Sequence, residues 1–533
     1  MFLNSLVVIL TAVTSVLATQ YGYNFQFYER DNELVAAQFP EPNMTLLSPY
    51  FVNPETIQPG FSNSTQGSTS QVDADHFLQS LAARNEWMTY QVADFKSEEG
   101  RSIPMVYLSR KTSGASNSTK IRMWLQSYIH GNEPAAEQAL LALLGKMDAN
   151  QTWAARILQN IDVFAVPRPN PDGAYYFQRL LASNFDPNRD HVKLARQPTR
   201  DLKALFSAFS PHIAIDMHEY SAGRPWGKNR TLAADSLFSA AKNLNIHPDI
   251  RDLAEGLFAE SIGKLMDESG FRWEPYVTKK ELGNGTVLFE EAGSDAKIGR
   301  NAMGLSQCVS FLSETRGIGV GDQDYKRRTA TGLTLLEAVL QTAADEHERV
   351  YSTVEGAIQK FIEGSDEIVI TDSTTVIKRP FALINTVTGE ITHDPVDFVS
   401  TTPTVANLTR AKPVAYLIPP AWTDLVTRLV DSGVKVTRLP YAYKGSVEAL
   451  TIIDAELQSS YYEGVVRATL KTETVKKTIS LPVGAYWIST AQRNAALAFV
   501  ALEPENIDSY AAFGLVPMEA GDEYPIFRVM SSE

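Results

Sequence analysis

Four short apolar runs alternate with helical patterns between residues 76 and 350, and this alternation constrains the fold more than any other feature. The runs are IRMWLQSYI (121–129), IDVFAVP (161–167), PHIAIDM (211–217) and CVSFLS (308–313). Continuous apolar runs of this length indicate strands that are covered on both faces. Because amphipathic segments lie between them, we predict an α/β fold, with a mixed, mostly parallel sheet and helices on both faces.

The composition changes on either side of this region, which predicts four parts in all. Residues 1–19 hold an apolar run followed by small residues, a pattern typical of a secretory signal peptide. Residues 20–75, rich in Pro, Asn, Ser and Gln, predict an extended N-terminal arm. Residues 76–350 form the predicted α/β domain. Residues 370–533, richer in Thr and Val, predict a β-rich C-terminal domain whose role the sequence does not state.

Charge and cysteine content exclude several classes of protein. The formal net charge is −14 and no basic run is present, which argues against a nucleic-acid partner. The apolar run near the N-terminus is too short to span a membrane, and no other segment is apolar enough. The single cysteine, Cys308, rules out an internal disulfide and lies in an apolar run, where a buried thiol is inert.

Seven N-x-S/T sequons accompany the signal-like N-terminus. Such sequons accept N-glycans in secreted proteins, so the two features together predict an extracellular, N-glycosylated protein. The sequon asparagines are Asn43, Asn63, Asn117, Asn150, Asn229, Asn284 and Asn407.

Two histidines directly follow predicted strands, and each has an acidic residue close by. His130 precedes Glu133 by three residues, and Pro134 then begins a predicted helix. His218 ends another strand in the string IDMHEY. A catalytic zinc site needs three protein ligands, which these residues could supply at one edge of the sheet. The alternative for Glu133 alone is ordinary capping of the helix that follows it.

Five motifs then stand in a specific order along the chain. They are HGNE (130–133), NPDG (170–173), DPNRD (186–190), DMHEY (216–220) and SETRG (313–317). This ordered set resembles the zinc metallocarboxypeptidases of the carboxypeptidase A type, over about residues 76 to 345. The resemblance implies a carboxypeptidase-like fold and a metallo-exopeptidase that hydrolyses peptides at a free C-terminus.

The resemblance also implies roles for residues around the metal. His130, Glu133 and His218 match the ligands of one Zn²⁺ per chain. Glu314 matches the general base that takes a proton from the zinc-activated water. Arg179 is the best match for the arginine that polarises the scissile carbonyl.

Further matches concern the substrate and the ligand shell. Asn188 and Arg189 match the pair that grips the terminal carboxylate, for which a guanidinium fork is well suited. Asp186 matches the carboxylate that orients the first histidine ligand. Tyr220, beside the third ligand, is predicted to contact the substrate, and Tyr276 is a candidate for the tyrosine that closes over it.

Each assignment has a structural alternative. Arg189 could pair with Asp186 or Asp190, Arg179 could be a solvated helix residue, and Glu314 could pair with a neighbouring arginine, Arg316. Glu219 departs from the digestive enzymes of the family. So near the metal it would disfavour acidic substrates or compete with Glu314 as the base, although strand alternation should turn it away from His218.

Three functions therefore remain open from the sequence. The first is a secreted zinc carboxypeptidase. The second is a related zinc amidohydrolase that deacylates small N-acyl amino acids and shares the same ligand pattern. The third is a binding protein on an inactive peptidase scaffold, against which the complete ligand set argues.

Overall fold

The computed structural model describes residues 30–110, 119–283 and 286–531, so the predicted signal peptide (1–19) lies outside the described residues. The α-helices are α1 (Glu33–Ala36), α2 (Pro49–Val52), α3 (Gln71–Arg84), α4 (Pro134–Ala149), α5 (Gln151–Asn160), α6 (Pro171–Tyr176), α7 (Gln197–Phe209), α8 (Pro248–Leu253), α9 (Glu260–Glu268), α10 (Gly299–Gly304), α11 (Tyr325–Asp345), α12 (His347–Glu363), α13 (Thr423–Asp431) and α14 (Ala495–Leu502). A membrane-crossing helix needs about 20 apolar residues, and no helix within the described residues meets that need.

Strands make up three sheets. The strands are β1 (Met88–Lys96), β2 (Ser102–Leu108), β3 (Ile121–Ser127), β4 (Ile161–Val166), β5 (Ile213–Ser221), β6 (Arg230–Leu232), β7 (Ser236–Ala240), β8 (Trp273–Pro275), β9 (Val277–Glu281), β10 (Val287–Glu291), β11 (Val309–Ile318), β12 (Ile368–Asn385), β13 (Ile391–Arg410), β14 (Ala415–Ile418), β15 (Thr437–Arg438), β16 (Tyr443–Tyr462), β17 (Val465–Leu481), β18 (Tyr486–Ser489) and β19 (Phe527–Val529).

The largest sheet has eight strands in the order β1-β2-β4-β3-β5-β11-β7-β8. Its centre, β4-β3-β5-β11, is parallel, and antiparallel pairs lie on either side of this centre. The four central strands are those predicted from the apolar runs. A mixed sheet with a parallel centre therefore confirms the predicted α/β fold class.

Both faces of this sheet are buried under helices. Along β3, Met123 and Leu125 join the core that contains α4 and α11, whereas Trp124 points to the opposite face and packs on Phe206 of α7. Alternation of successive side chains in a strand produces this division. Two buried faces explain why the central strands are mostly apolar.

The N-terminal segment from residue 30 is fastened to the catalytic region. Short helices interrupt it, and the predicted boundary at residue 76 falls inside α3. Asp31 forms a two-pronged ion pair with Arg316 at 2.6 and 2.7 Å, and both side chains are buried. Arg316 is therefore engaged by Asp31 and not by its neighbour Glu314.

The C-terminal region is rich in strands, as predicted, and it also carries α13 and α14. A six-stranded sheet has the order β15-β18-β14-β19-β16-β17. A five-stranded sheet, β6-β12-β13-β10-β9, joins strands from both sides of α12. One apolar core contains both Leu125 of β3 and Phe499 of α14. The C-terminal region therefore packs directly against the catalytic region.

Candidate metal centre and active site

The turn between β3 and α4 presents His130 and Glu133. Glu133 directly precedes Pro134, the first residue of α4. The turn packs closely on the NPDG loop, because a Cβ on Gly131 would lie 1.8 Å from the carbonyl carbon of Gly173. Only glycine permits this approach. The HGNE turn and the NPDG loop are therefore in direct contact.

His218 and Glu314 lie on adjacent parallel strands. His218 is near the carboxyl end of β5, and Glu314 of β11 is its direct partner in register. Side chains at paired positions lie on the same face of a sheet. Glu314, which the resemblance matches to the general base, therefore stands next to His218.

The three predicted ligands form one buried cluster. Nδ1 of His130 lies 2.8 Å from Oε1 of Glu133, and Nδ1 of His218 lies 2.9 Å from Oε2 of the same carboxylate. The two Nδ1 atoms are 3.1 Å apart. These residues are at most 2% exposed. They form a group of His and Glu donors that could hold a metal ion, with their ligand atoms within 4.8 Å of one another.

The outer nitrogens of both rings also face carboxylates. Nε2 of His130 lies 3.1 Å from Oδ1 of Asp186, and Nε2 of His218 lies 3.0 Å from Oδ2 of Asp216. A carboxylate fixes the proton on the outer nitrogen and leaves the inner lone pair for a metal. The motifs predict this role for Asp186 but not for Asp216, although strand alternation places Asp216 on the same face as His218.

The charges of this cluster fit a divalent cation. Three carboxylates, on Glu133, Asp186 and Asp216, surround the two rings, and the guanidinium of Arg179 offsets one of them. Two imidazole nitrogens and a carboxylate are a donor set that zinc prefers. A bound Zn²⁺ would balance the remaining two negative charges.

The protonation of His218 reports the same excess of negative charge. Burial opposes a charged imidazole, but Asp216 and Glu133 outweigh it and raise the pKa of His218 well above its usual range. Burial opposes the Glu133 carboxylate as well, yet the two histidines hold its pKa below its usual value. Without a metal, a proton on His218 would offset part of this negative charge.

A pocket of about 850 Å³ opens beside the cluster. Burial raises the pKa of Glu314, which lines this pocket, to about 8; the charge of His218 opposes the rise and Glu133 adds to it. The lining includes His130, Arg179, Asp186, Asn188, Arg189, Tyr220, Tyr276, Arg300, Glu314, Tyr462 and Arg467.

Arg179 lies between two carboxylates of the cluster. Its Nε donates to Oδ2 of Asp186 at 3.0 Å, and its Nη1 lies 3.3 Å from Oε1 of Glu133. It follows α6 in a loop and is not a solvated helix residue. Burial opposes its charge, but Asp186 and Glu133 raise the pKa of Arg179, so the guanidinium is held positive beside the metal cluster.

The three residues predicted to bind substrate all line the pocket. Nη1 of Arg189 donates to the carbonyl of Asn188 at 2.8 Å. The Asn188 amide accepts from the Gly299 N–H at 2.7 Å and lies 3.3 Å from Nε2 of His218. The hydroxyl of Tyr220 donates to the carbonyl of Ala234, so this residue presents its ring to the pocket.

Glu219 belongs to a different contact from its neighbour His218. Its Oε1 accepts from Nε and Nη2 of Arg328 at 2.9 and 2.7 Å, and its Oε2 accepts from the N–H of Ala135 in α4 at 3.2 Å. The carboxylate is thus neutralised by an arginine. This pairing accounts for a second acidic side chain beside the metal cluster.

One wall of the pocket comes from the C-terminal region, which the sequence analysis did not connect with the site. Tyr462 ends β16, Arg467 lies on β17, and both line the pocket. Between these strands, Oε2 of Glu463 accepts from the backbone N–H of Asp186 at 2.8 Å. Long-range packing of this kind has no local signal in the sequence.

Comparison with known proteins supports the same family. A family model described as zinc carboxypeptidase matches residues 75–247. Carboxypeptidase 2 of Trichophyton equinum is 53% identical over 517 residues, covering 96% of both chains. Carboxypeptidase 2 of Trichophyton rubrum is 53% identical over 519 residues, again covering 96% of both chains.

Solved structures are more distantly similar. A metallo-carboxypeptidase from Burkholderia cenocepacia is 17% identical, with a TM-score of 0.41 over 52% of this chain and 70% of that one. The carboxypeptidase A from Helicoverpa armigera is 15% identical, with a TM-score of 0.37 over 59% of this chain and 80% of that one. The identity to the Trichophyton proteins, sustained over nearly the whole length, shows that this chain belongs to the zinc carboxypeptidase family.

Proposed function

We propose that this zinc carboxypeptidase is a secreted exopeptidase that removes single residues from peptides with a free C-terminus, using one Zn²⁺ held by His130, Glu133 and His218. The observation that carries the proposal is the convergence of these three donors beside Glu314 in one pocket. Zinc, when bound, would act as a Lewis acid toward the scissile carbonyl and would lower the pKa of the attacking water.

Glu314 is the proposed general base. A carboxylate at its position can take the proton of the attacking water and then return it to the leaving amine. Burial raises its pKa to about 8 before a cation is bound, so the carboxyl can hold the transferred proton near neutral pH. A bound cation would lower that pKa, so Glu314 would be ionised at the start of the reaction.

Arg179, Asn188 and Arg189 are the proposed contacts to the substrate. Arg179 keeps N–H groups beyond those bound to Asp186 and Glu133, and these could donate to the scissile carbonyl oxygen. Arg189 is half-buried and lines the pocket, where its planar fork would hold the terminal carboxylate with the help of Asn188. Tyr220 would contribute the face of its ring.

The decisive experiment measures zinc content and peptide hydrolysis together. We expect one zinc per chain, and we expect Glu314→Gln to keep the zinc while kcat falls by about 10²- to 10⁴-fold. Glu268→Gln, the same change on the exposed surface of α9, should leave both unchanged. Full activity in Glu314→Gln, or a wild-type protein that binds no zinc, would contradict the proposal.

Substrate length separates a carboxypeptidase from a small-molecule deacylase. The proposed enzyme should shorten long peptides by single residues, and amidation of the terminal carboxylate should abolish cleavage. Activity confined to N-acyl amino acids would instead favour the amidohydrolase.

Secretion with N-glycosylation is also part of the proposal. Five of the sequon asparagines lie within the described residues, and all five side chains are exposed: Asn43, Asn63, Asn150, Asn229 and Asn407. Expression in a secreting eukaryotic host should place the protein in the medium, with a mass that falls on treatment with a glycosidase. Intracellular retention without glycans would contradict this part.

A further inference from the structure

The buried arginines of this protein differ in how their charge is balanced. Burying a charge without a partner is costly, so buried guanidinium groups normally pair with carboxylates. Within the described residues, six of the seven buried arginines do so: Arg168 with Glu137, Arg316 with Asp31, Arg327 with Asp235, Arg328 with Glu219, Arg428 with Asp424 and Arg528 with Glu448. The seventh is Arg300, which is 1% exposed.

Arg300 lies on α10 and lines the pocket beside the proposed zinc ligands. Its Nη2 donates to the carbonyl of Gly293 at 2.6 Å. Its Nε has no hydrogen-bond partner in the described part of the chain, and no carboxylate there forms an ion pair with it. A fully buried guanidinium with an unused N–H, at the wall of an open pocket, lacks an anion.

A second guanidinium in the same pocket also has an unused nitrogen. Arg467 reaches the pocket from β17, and its Cζ lies 4.4 Å from the ring centroid of Tyr462. Its Nε donates to Gln458 at 3.3 Å, whereas its buried Nη1 has no partner among the described residues. Two cationic side chains, one from each region of the protein, therefore face this pocket with donors free.

The acidic residue between them is already engaged. Oδ2 of Asp295 lies 2.5 Å from Nζ of Lys297, which also lies 3.1 Å from Oδ1 of Asp508. Two carboxylates thus face one lysine, which leaves one negative charge, and Asp295 also attracts both arginines. One of the two positive charges of Arg300 and Arg467 therefore remains for a ligand.

We propose that Arg300 and Arg467 form an anion-binding floor that selects peptides with a C-terminal Asp or Glu. This inference rests on the proposed function, in which Arg189 holds the main-chain carboxylate and the terminal side chain enters the same pocket. Two guanidinium groups match a side-chain carboxylate in charge and geometry. A neutral isostere would leave both unpaired.

The test compares peptides that differ only in the last residue. Wild-type enzyme should hydrolyse a peptide ending in Glu with a kcat/KM at least about tenfold above that of its Gln counterpart, as expected for hydrogen bonds to a charged group. Peptides ending in Lys should be poorer still. Equal or better cleavage of the Gln or Lys peptide overturns the inference.

Variants then assign the preference to its residues. Arg300→Met should reduce the Glu-over-Gln ratio by about tenfold, and Arg467→Met by about threefold because its side chain is half-exposed. Lys471→Met removes one charge from the same strand as Arg467 but from an exposed ion pair, and should leave the ratio unchanged. Thermal unfolding of each variant checks that it is folded.

Two further outcomes would be equally clear. If Arg300→Met lowers kcat/KM for all peptides by the same factor, the residue holds the main-chain carboxylate and the inference is wrong. Hydrolysis without any preference for acidic ends overturns this inference and leaves the proposed function standing. Absence of zinc-dependent hydrolysis with every peptide overturns both.

Discussion

The two ends of strand β5 each carry a buried histidine, but in opposite electrostatic settings. His212, just before the strand, accepts from the N–H of Arg122 at 2.9 Å and faces a single carboxylate, Glu355, at 2.8 Å. Burial lowers its pKa to about 4. His218, near the other end, lies between Asp216 and Glu133, which raise its pKa well above the usual range against the effect of burial.

This difference shows that burial does not by itself decide what a histidine does. Both side chains are at most 1% exposed, and the charged groups around each ring determine its charge. Two carboxylates face His218, whereas Arg122 and Arg493 oppose the effect of the one carboxylate at His212. His212 is neutral and fastens β5 to its neighbours. His218 lies among excess negative charge, where a cation could bind.

Two adjacent residues near the carboxyl end of β5 show a similar difference. His218 contacts Glu133, another of the proposed zinc ligands, whereas Glu219 pairs with Arg328. In the first, donor groups converge on a space for a ligand; in the second, the ion pair is complete within the protein. We therefore expect substitutions at the first to affect metal binding and those at the second to affect folding.

The largest effect should come from substituting the histidines at the two ends of β5, one at a time. His218→Gln removes a proposed ligand and should reduce zinc affinity by more than about a hundredfold, which exceeds the effect of losing a carboxylate behind a ligand. We expect a matching loss of kcat/KM. His212→Gln should keep its zinc. Zinc content after dialysis and activity on one peptide test both variants. Equal zinc loss in the two variants would contradict the proposed difference between the histidines.

Arg328→Met should lower the free energy of unfolding by about 3–5 kcal/mol, because Glu219 is left as a buried, unpaired charge. The double variant Glu219→Leu/Arg328→Met should recover much of that loss. Urea unfolding of the zinc-loaded proteins measures the effect. If the folded single variant has lost its zinc, the ion pair belongs to the metal site and our division of tasks is wrong.

Asp216→Asn should weaken zinc binding by about 10- to 100-fold, because the amide no longer orients His218 or supplies negative charge. Asp186→Asn makes the same change behind His130 and serves as the matched variant. Competition with a zinc chelator measures both affinities. An unchanged zinc affinity in Asp216→Asn would show that the carboxylate 3.0 Å from Nε2 of His218 does not influence zinc binding.

The smallest effect concerns pH and His212. Between pH 6.5 and about 4 the unfolded chain binds a proton at this histidine that the folded chain does not, so stability should fall as the pH falls through this window. His212→Gln removes this contribution and should flatten the dependence. Urea unfolding from pH 8 to 4.5 compares the two proteins, and parallel curves would contradict the assignment.

Much of the catalytic sheet could be predicted, because strands buried on both faces have a strong local signal. The apolar runs located β3, β4, β5 and β11. The prediction ended β5 at Met217 and β11 at Ser313, whereas the strands continue to Ser221 and Ile318. The added residues are mostly polar and include His218 and Glu314 of the proposed site, so hydrophobicity alone stops short of them.

The ordered motifs predicted the ligand cluster, since each motif lies next to an element with a clear pattern. The pocket floor could not be predicted in the same way. Arg300 and Arg467 line the same pocket from distant parts of the chain. The strands β12 and β13, of 18 and 20 residues with many exposed positions, likewise pair with β6 and β10 far away in sequence. Such pairings depend on tertiary packing.

The hydrogen bond from the Asp186 backbone to Glu463 has a consequence for biosynthesis. The proposed ligands, at residues 130 to 218, leave the ribosome long before the turn between β16 and β17 has been translated. Until that turn arrives, the loop carrying Asp186 lacks this partner and the pocket lacks the wall formed by Tyr462 and Arg467. The nascent chain can therefore assemble its metal ligands first and acquire its full substrate pocket only near the end of synthesis.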